Sequence, residues 1–436
     1  MRRLPWATAS AAALLLGATV ARAVDYRMTF NPAQPLAAQV EVVAPQRPDK
    51  KGAARIVSRA PLAARGEASG VREQVGNVRC DGIAVKRNEV GWLLPPRGCV
   101  RLAWTVSFDA LGAPGVDASE QRNLYHAKSN SWLLSEPASL LRWPGTEGAR
   151  IVMRGAASVL GGAALGRAAG KSAAGVTTLV MPGAADPPEF YFVGAAPLQR
   201  VRAGGREFVY VRLAEGELAP LEQAHADALS YFSSISGAGA VPAVVAWLPI
   251  EERQGGIGAA SGGASILANV VVEQGRVAAD RLPHTLAMLL QTQFHAQLAA
   301  RALTPWVNVS LAEYYTRKAL ARSRLDEATR AEIEKTYPAV DAPLSGTLIG
   351  IQLRIENRDL AAQRLLASEG SNFWLALDRA IQKESGGKRS LDDEMPEILR
   401  SEFGSARMPV TLVERFRLVA GAKAFDELAA RYLGPM

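Results

Sequence analysis

A chain of 436 residues, 48% hydrophobic and 21% charged, carries enough apolar side chain to build roughly two or three cores, which excludes a disordered polypeptide. Its formal charge of +8 comes from bases scattered among acids. No basic stripe with interleaved aromatics is present, which argues against a nucleic-acid partner.

The opening "MRRLPWATASAAALLLGATVARA" has a basic start, an uncharged run from Ala7 to Val20, and small residues at Ala21 and Ala23. That is the pattern of a secretory signal peptide over residues 1–23, and the run is too short to span a bilayer. Loss of Arg2, Arg3 and Arg22 with the signal lowers the charge to about +5. No later segment is long and apolar enough for a membrane helix, so the expected mature protein is exported, periplasmic or secreted, with no membrane span. Cys80 and Cys99 are the only cysteines. They are not in a C-x-x-C arrangement, and in an exported chain they are expected to form a structural disulfide, with "PPRG" turning the chain just before Cys99.

Residues 24–198 hold short β-prone runs such as "AQVEVVA", "CVRLAWTVSF" and "EFYFVG", broken by Pro, Gly and Asn, and read as a β domain. Within it, residues 155–175 are Gly/Ala-rich and contain "GRAAGKS". A phosphate-binding loop needs a glycine five residues ahead of Gly170, with four residues between, and Leu165 stands there while Gly166 is one residue late, so a plain loop is the reading.

From 199 the pattern changes. "REFVYVRLA" is strand-like, "APLEQAHADALSYFSSI" is an amphipathic helix, "VPAVVAWLPI" is a buried strand, and helices dominate after 284. The order gives an α+β class, with a region at 199–340 and a helical region at 341–436. "AASGG" around Ser261 has Ala259 where a nucleophile elbow has its first glycine, and a Gly/Ala/Ser loop is the reading there.

The helix from about Leu282 to Arg301 repeats apolar residues at Leu286, Leu290, Phe294 and Leu298, which sets Gln291 and His295 one turn apart on a neighbouring face. The next helix contains "WVNVSLAEYY", Trp306 to Tyr315. These segments resemble the gluzincin metallopeptidases, closest to the glycyl aminopeptidase family, whose zinc helix carries H-E-x-x-H and whose next helix carries a pattern like W-x-x-E-G-x-x-E-Y-Y. "GGKRSLDD" at 386–393 and "FDELAARYLG" near the end also resemble family segments. Ser390 followed by Asp393 is a capping-box signature in its own right.

The resemblance implies an N-terminal β domain followed by a thermolysin-like, mostly helical domain. Carried over by position, it puts Gln291 at the first zinc histidine, Thr292 at the general base and Val309 at the glutamate ligand, with only His295 kept. The substrate strand, where the family has a G-G-x-E-H-like pattern, reads Gly255, Gly256, Ile257, Gly258, Ala259. A catalytic zinc needs three protein ligands and an open position, and hydrolysis needs a base for the metal-bound water. His284 lies about 16 Å along the helix from His295, too far to share a metal with it.

The resemblance therefore implies a degenerate member without the zinc expected of the family and without catalytic residues. The expected function is binding of a peptide or envelope protein in a cleft lined by Gly255, Gly256, Ile257, Gly258, His295, Glu313 and Tyr314, by strand addition beside the "VVAWLPI" strand. An exported hydrolase with a rebuilt site and a structural envelope component are the alternatives.

Overall fold

The computed structural model describes residues 24–434 apart from several stretches between elements, among them 47–54, 59–73, 111–124, 162–175, 182–189 and 251–257. The signal-like segment, the "GRAAGKS" loop, and Gly255, Gly256 and Ile257 lie outside the described residues.

The architecture is α+β, with sheets first and helices after. Its longer strands are β1 (Val24–Phe30), β2 (Ala37–Gln46), β3 (Val75–Cys80), β4 (Cys99–Ser107), β5 (Ser131–Ser135), β6 (Ala149–Arg154), β7 (Val176–Met181), β8 (Phe190–Val193), β9 (Leu198–Ala203), β10 (Arg206–Arg212), β11 (Val244–Ile250), β12 (Ala259–Gly262) and β13 (Ser265–Glu273). The helices are α1 (Ala219–Ser236), α2 (Leu282–Ala299), α3 (Pro305–Arg322), α4 (Glu327–Lys335), α5 (Leu348–Glu356), α6 (Ala362–Glu384), α7 (Leu391–Arg400), α8 (Val410–Ala420) and α9 (Ala422–Tyr432).

The first sheet runs β7-β6-β1-β2-β4-β3, ending on the short strand Ile83–Ala84. Alternate residues of β1 and β2, such as Tyr26, Met28, Val40 and Val42, are buried against Trp104 and Trp132, as a sheet with one packed face requires. A disulfide joins Cys80, at the end of β3, to Cys99, at the start of β4. It closes a loop across neighbouring strands, worth about 3 kcal/mol in the chain-entropy account.

The second half is built on the sheet β9-β10-β11-β13-β12. Here β11 is parallel to β10 on one side and to β13 on the other. Both of its faces are covered. Val245 and Trp247 meet the helices, whereas Val244, Ala246, Leu248 and Ile250 meet Leu133 and Phe192 of the N-terminal sheets. Double burial is why "VVAWLPI" reads as an unbroken apolar run. It also overturns the expected strand addition beside this segment, because β11 has no free edge. Among the described residues the outer strands of this sheet are β9 and β12, and β12 is paired with β13 alone.

One apolar cluster extends from Ala203 to Leu433 and takes in every helix from α1 to α9 except α4 among its fully buried members. Polar groups inside it are arranged in chains. Tyr210 Oη lies 2.9 Å from His225 Nδ1 and 3.1 Å from the Glu222 carbonyl. With the imidazole proton on Nδ1, His225 donates to Tyr210 and Tyr210 donates to the carbonyl, so every donor is used. Burial alone holds the His225 pKa down to about 3. The Glu222 carboxylate accepts from Arg212 and from Trp247 Nε1, as a buried charge must.

Helices α3 and α6 cross at very short range. A Cβ added to Gly370 would stand 2.3 Å from the Ser310 Cβ, so only glycine fits there. Ser310 Oγ accepts from Trp374 Nε1 at 2.8 Å, and the Trp306 and Trp374 rings stack at 5.9 Å. The variant Gly370→Ala must push the two helices apart at a cost of about 1–3 kcal/mol. Urea denaturation will register this as a lower midpoint with an unchanged slope; an unchanged midpoint would mean that the crossing is looser than described.

Candidate functional site

Helix α2 packs against β12 and β13 on one side and α3 on the other. Its core face consists of Leu286, Leu289, Leu290, Phe294 and Leu298, all buried. Phe294 stacks on Phe232 of α1 with centroids 4.0 Å apart, which fixes the rotation of the helix about its axis. With that face inward, the helical period places His284, Met288, Gln291 and His295 on the opposite, more open side. His284 and Met288 are exposed there and His295 is partly buried. Burial keeps the His295 pKa below its ordinary value, so the ring is neutral near pH 7.

Thr292 is buried one position round the helix from Gln291. On α3, Val309 and Glu313 stand one turn apart. The Val309 side chain is aliphatic, and the Glu313 carboxylate is already engaged. Tyr337, beyond the end of α4, donates its hydroxyl to Glu313 Oε1 at 2.5 Å, and the Arg317 guanidinium lies 4.1 Å over the Tyr337 ring. Arg317 in turn donates to Asn372 Oδ1 at 2.8 Å and pairs with Glu334. Burial raises the Glu313 pKa against the opposing pull of Tyr337 and Arg317.

The structure does not bring Tyr314 to this surface. Its hydroxyl donates to Asp378 Oδ2 at 2.6 Å on the other side of α3. Asp378 also accepts from the Leu391 amide at 2.6 Å and from Lys318, which bridges onward to Asp392, itself bonded to the Tyr231 hydroxyl. The sequence reading missed this network because its members are spread over α1, α3, α6 and α7. The only local signal was the capping box of α7, where the Asp393 carboxylate accepts from the Ser390 amide at 2.8 Å.

Ser261, considered as a nucleophile, sits within the extended strand β12 opposite Ile266. A strand-to-helix turn is not its setting. Gly258 pairs with the same neighbour, its carbonyl accepting from the Asn269 amide at 2.9 Å.

Among the described residues no group of three His, Cys, Asp or Glu side chains could hold a metal ion. Where a zinc site would offer nitrogen and carboxylate donors, α2 offers an amide at Gln291, a hydroxyl at Thr292 and one imidazole at His295, and α3 offers an isopropyl group at Val309. That donor set does not fit zinc, which binds through imidazole, thiolate and carboxylate.

Comparison with solved structures identifies the fold. An aminopeptidase N family protein from Idiomarina loihiensis superposes with a TM-score of 0.58 at 11% identity, covering 86% of this chain and 70% of that one. An M1 zinc metallopeptidase from Deinococcus radiodurans matches with a TM-score of 0.43 at 14% identity, covering 95% of this chain and 94% of that one. An aminopeptidase A from Legionella pneumophila, with aspartic acid bound, gives 0.47 at 9% identity over 94% of this chain and 49% of that one. No protein-family profile matches the sequence, and no characterised relative is found. The chain thus shares the fold of the first of these, an aminopeptidase N family protein.

The raised Glu313 pKa has a pH consequence. The folded state keeps a proton that the unfolded chain releases, so stability falls as pH rises from about 4.5 towards the folded value. Replacing Glu313 by Gln keeps an acceptor for Tyr337 and removes that loss. The stability difference, variant minus wild type, should therefore move in the variant's favour between pH 4 and pH 7 in urea titrations. Parallel profiles would contradict the assignment.

Proposed function

We propose that this protein uses an aminopeptidase fold to bind an extended peptide or protein segment without hydrolysing it. The observation that carries the reading is chemical. On α2 and the adjoining turn of α3, the positions equivalent by resemblance to zinc ligands and general base hold Gln291, Thr292 and Val309, while the packing residues Trp306, Leu290, Phe294 and Trp374 are buried and intact. Loss confined to reactive positions leaves a surface suited to contacts that need no reaction.

The contact is backbone pairing. Strand β12 contacts α2 and, among the described residues, is paired on one side alone, so its other side offers amide and carbonyl groups to an added strand. Since Gly258 bonds inward to Asn269, alternation turns the amides of Ala259 and Ser261 outward. The small side chains of Ala259 and Ser261 on β12 let another backbone come close. Met288, Gln291 and His295 would then form a neutral floor under the ligand. Affinity is modest in this arrangement, because no metal anchors a carbonyl.

Export is part of the proposal. A signal-like start is followed by a chain whose two cysteines are joined, and no helix among the described residues is long and apolar enough to cross a membrane. The partner is then a peptide or a protein of the cell envelope or exterior.

Two experiments test the reading. A mixed peptide library incubated with the purified protein should yield no new termini, and a peptide captured from it should bind Ser261→Pro at least about tenfold more weakly, since proline removes an outward donor. New termini, or unchanged binding by a folded Ser261→Pro, would refute it. The triple change Gln291→His, Thr292→Glu and Val309→Glu should create a zinc site measurable by calorimetry. A folded triple variant with no gain in zinc affinity would mean that these positions do not converge.

A further inference from the structure

A second surface, distant in sequence from β12, has the composition of a ligand site. Between the start of α5, the approach to α8 and the end of α9 lies a cavity of ≈ 320 Å³ lined by Ile349, Met408, Val410, Val413, Leu433, Arg407 and Arg417. Five of these seven are apolar. The two polar members are both arginines, and no acidic side chain lines the space. Its size falls at the lower end of small-molecule pockets, which are mostly apolar with a few polar groups that fix orientation.

The apolar lining continues outward. Leu353, one turn beyond Ile349 on α5, is 50% exposed, and Val410 at the mouth is 71% exposed. A soluble protein keeps such side chains together on its surface at a cost, and a concave patch flanked by cations is where the cost is offset by a ligand. Arg417 is held in place from one side, its Nε donating to Asp426 Oδ1 at 2.7 Å. A guanidinium has five N–H donors in a fixed fork, so fixing it through Nε orients the donors that remain.

We propose that this pocket binds an apolar chain ending in a carboxylate, of the size of a medium-chain fatty acid. The tail lies along Ile349, Met408, Val413 and Leu433, and the carboxylate meets the guanidinium groups of Arg407 and Arg417. At about one water volume, ~30 Å³, for each methylene, the cavity accommodates roughly eight to ten carbons. A carboxylate fits better than an ammonium head because the two polar side chains lining the pocket are both guanidinium donors and neither is an acceptor. It fits better than an uncharged alcohol because arginine bonds to carboxylate are charge-assisted and can be bidentate. Binding here is independent of peptide pairing at β12, since the lining comes from α5, α8, α9 and the segment before α8.

The test is calorimetric titration of the full mature chain with decanoate below its micellar range. Decylammonium, decanol and an acetylated tripeptide ending in leucine serve as comparison ligands. The expected result is saturable 1:1 binding of decanoate, at least tenfold weaker binding of decylammonium and decanol, and weak or no binding of the tripeptide. The variant Arg407→Gln should weaken decanoate about tenfold. Val410→Glu, which puts an acid at an exposed mouth position and leaves the core untouched, should abolish it, with circular dichroism confirming the fold of both. Equal binding of decanoate and decylammonium, or retention of decanoate by a folded Val410→Glu, would overturn the proposal. Preference for the tripeptide over decanoate would overturn it as well, by marking the pocket as a docking point for a polypeptide end.

Discussion

The contact between Ser310 and Gly370 governs the geometry of the second half. Two helices meet there with only the Ser310 side chain between them, Ser310 Oγ accepting from Trp374 Nε1 and Gly370 leaving the space for it. Stacked indoles on one side and the chain of Tyr314, Asp378 and Lys318 on the other keep α3 from rolling or sliding. Because α3 is fixed, the face of α2 packed against it is fixed too. The positions of Gln291, His295 and Val309 are therefore consequences of a crossing that does not involve them.

On the proposed reading, that separation lets the fold persist without the chemistry. The helices are tied by buried carboxylates that are paired: Lys318 of α3 bridges Asp378 of α6 and Asp392 of α7, and Glu394 of α7 is clasped by Arg389 and by Arg415 of α8. Removing one partner of such a pair leaves an uncompensated buried charge and is strongly destabilising. Gln291, Thr292 and Val309 have no such partners to lose. Substitution there costs less stability than loss of a buried ion-pair partner, which is what the proposed reading requires of these positions. Glu313 is intermediate. It lies beside the emptied positions, yet its bond to Tyr337 and the stacking of Arg317 tie it to the segment after α4.

Much of this was legible in the sequence, and the parts that were not have physical reasons. Periodicity in "LAMLLQTQFHAQLA" shows one core face and places Gln291 and His295 beside it, because a helix obeys a local rule. Ser390 and Asp393 announce the start of α7 for the same reason. Strand order is a non-local property. Nothing in "VVAWLPI" says that it lies between β10 and β13, and the inference of an open edge there failed because a doubly buried strand and a strand beside a cleft share one apolar composition. Tyr314 was misplaced by motif position alone. The helix turns it 100° from Glu313, and its partner Asp378 lies 64 residues away. The pocket at α8 had no sequence signal, since its lining is drawn from three helices and an arginine-bearing loop.

The central claim is that β12 was retained for backbone pairing on the side of the molecule where the chemistry was lost. Amide hydrogen exchange on the mature protein, with and without an extended peptide selected for binding, tests this most directly. The account predicts that the outward amides of Ala259 and Ser261 exchange freely in the unliganded protein and slow markedly when the peptide binds, whereas Ala268 and Ile266 on β13, being already paired, change little. Protection that appears elsewhere while Ala259 and Ser261 go on exchanging freely would contradict it.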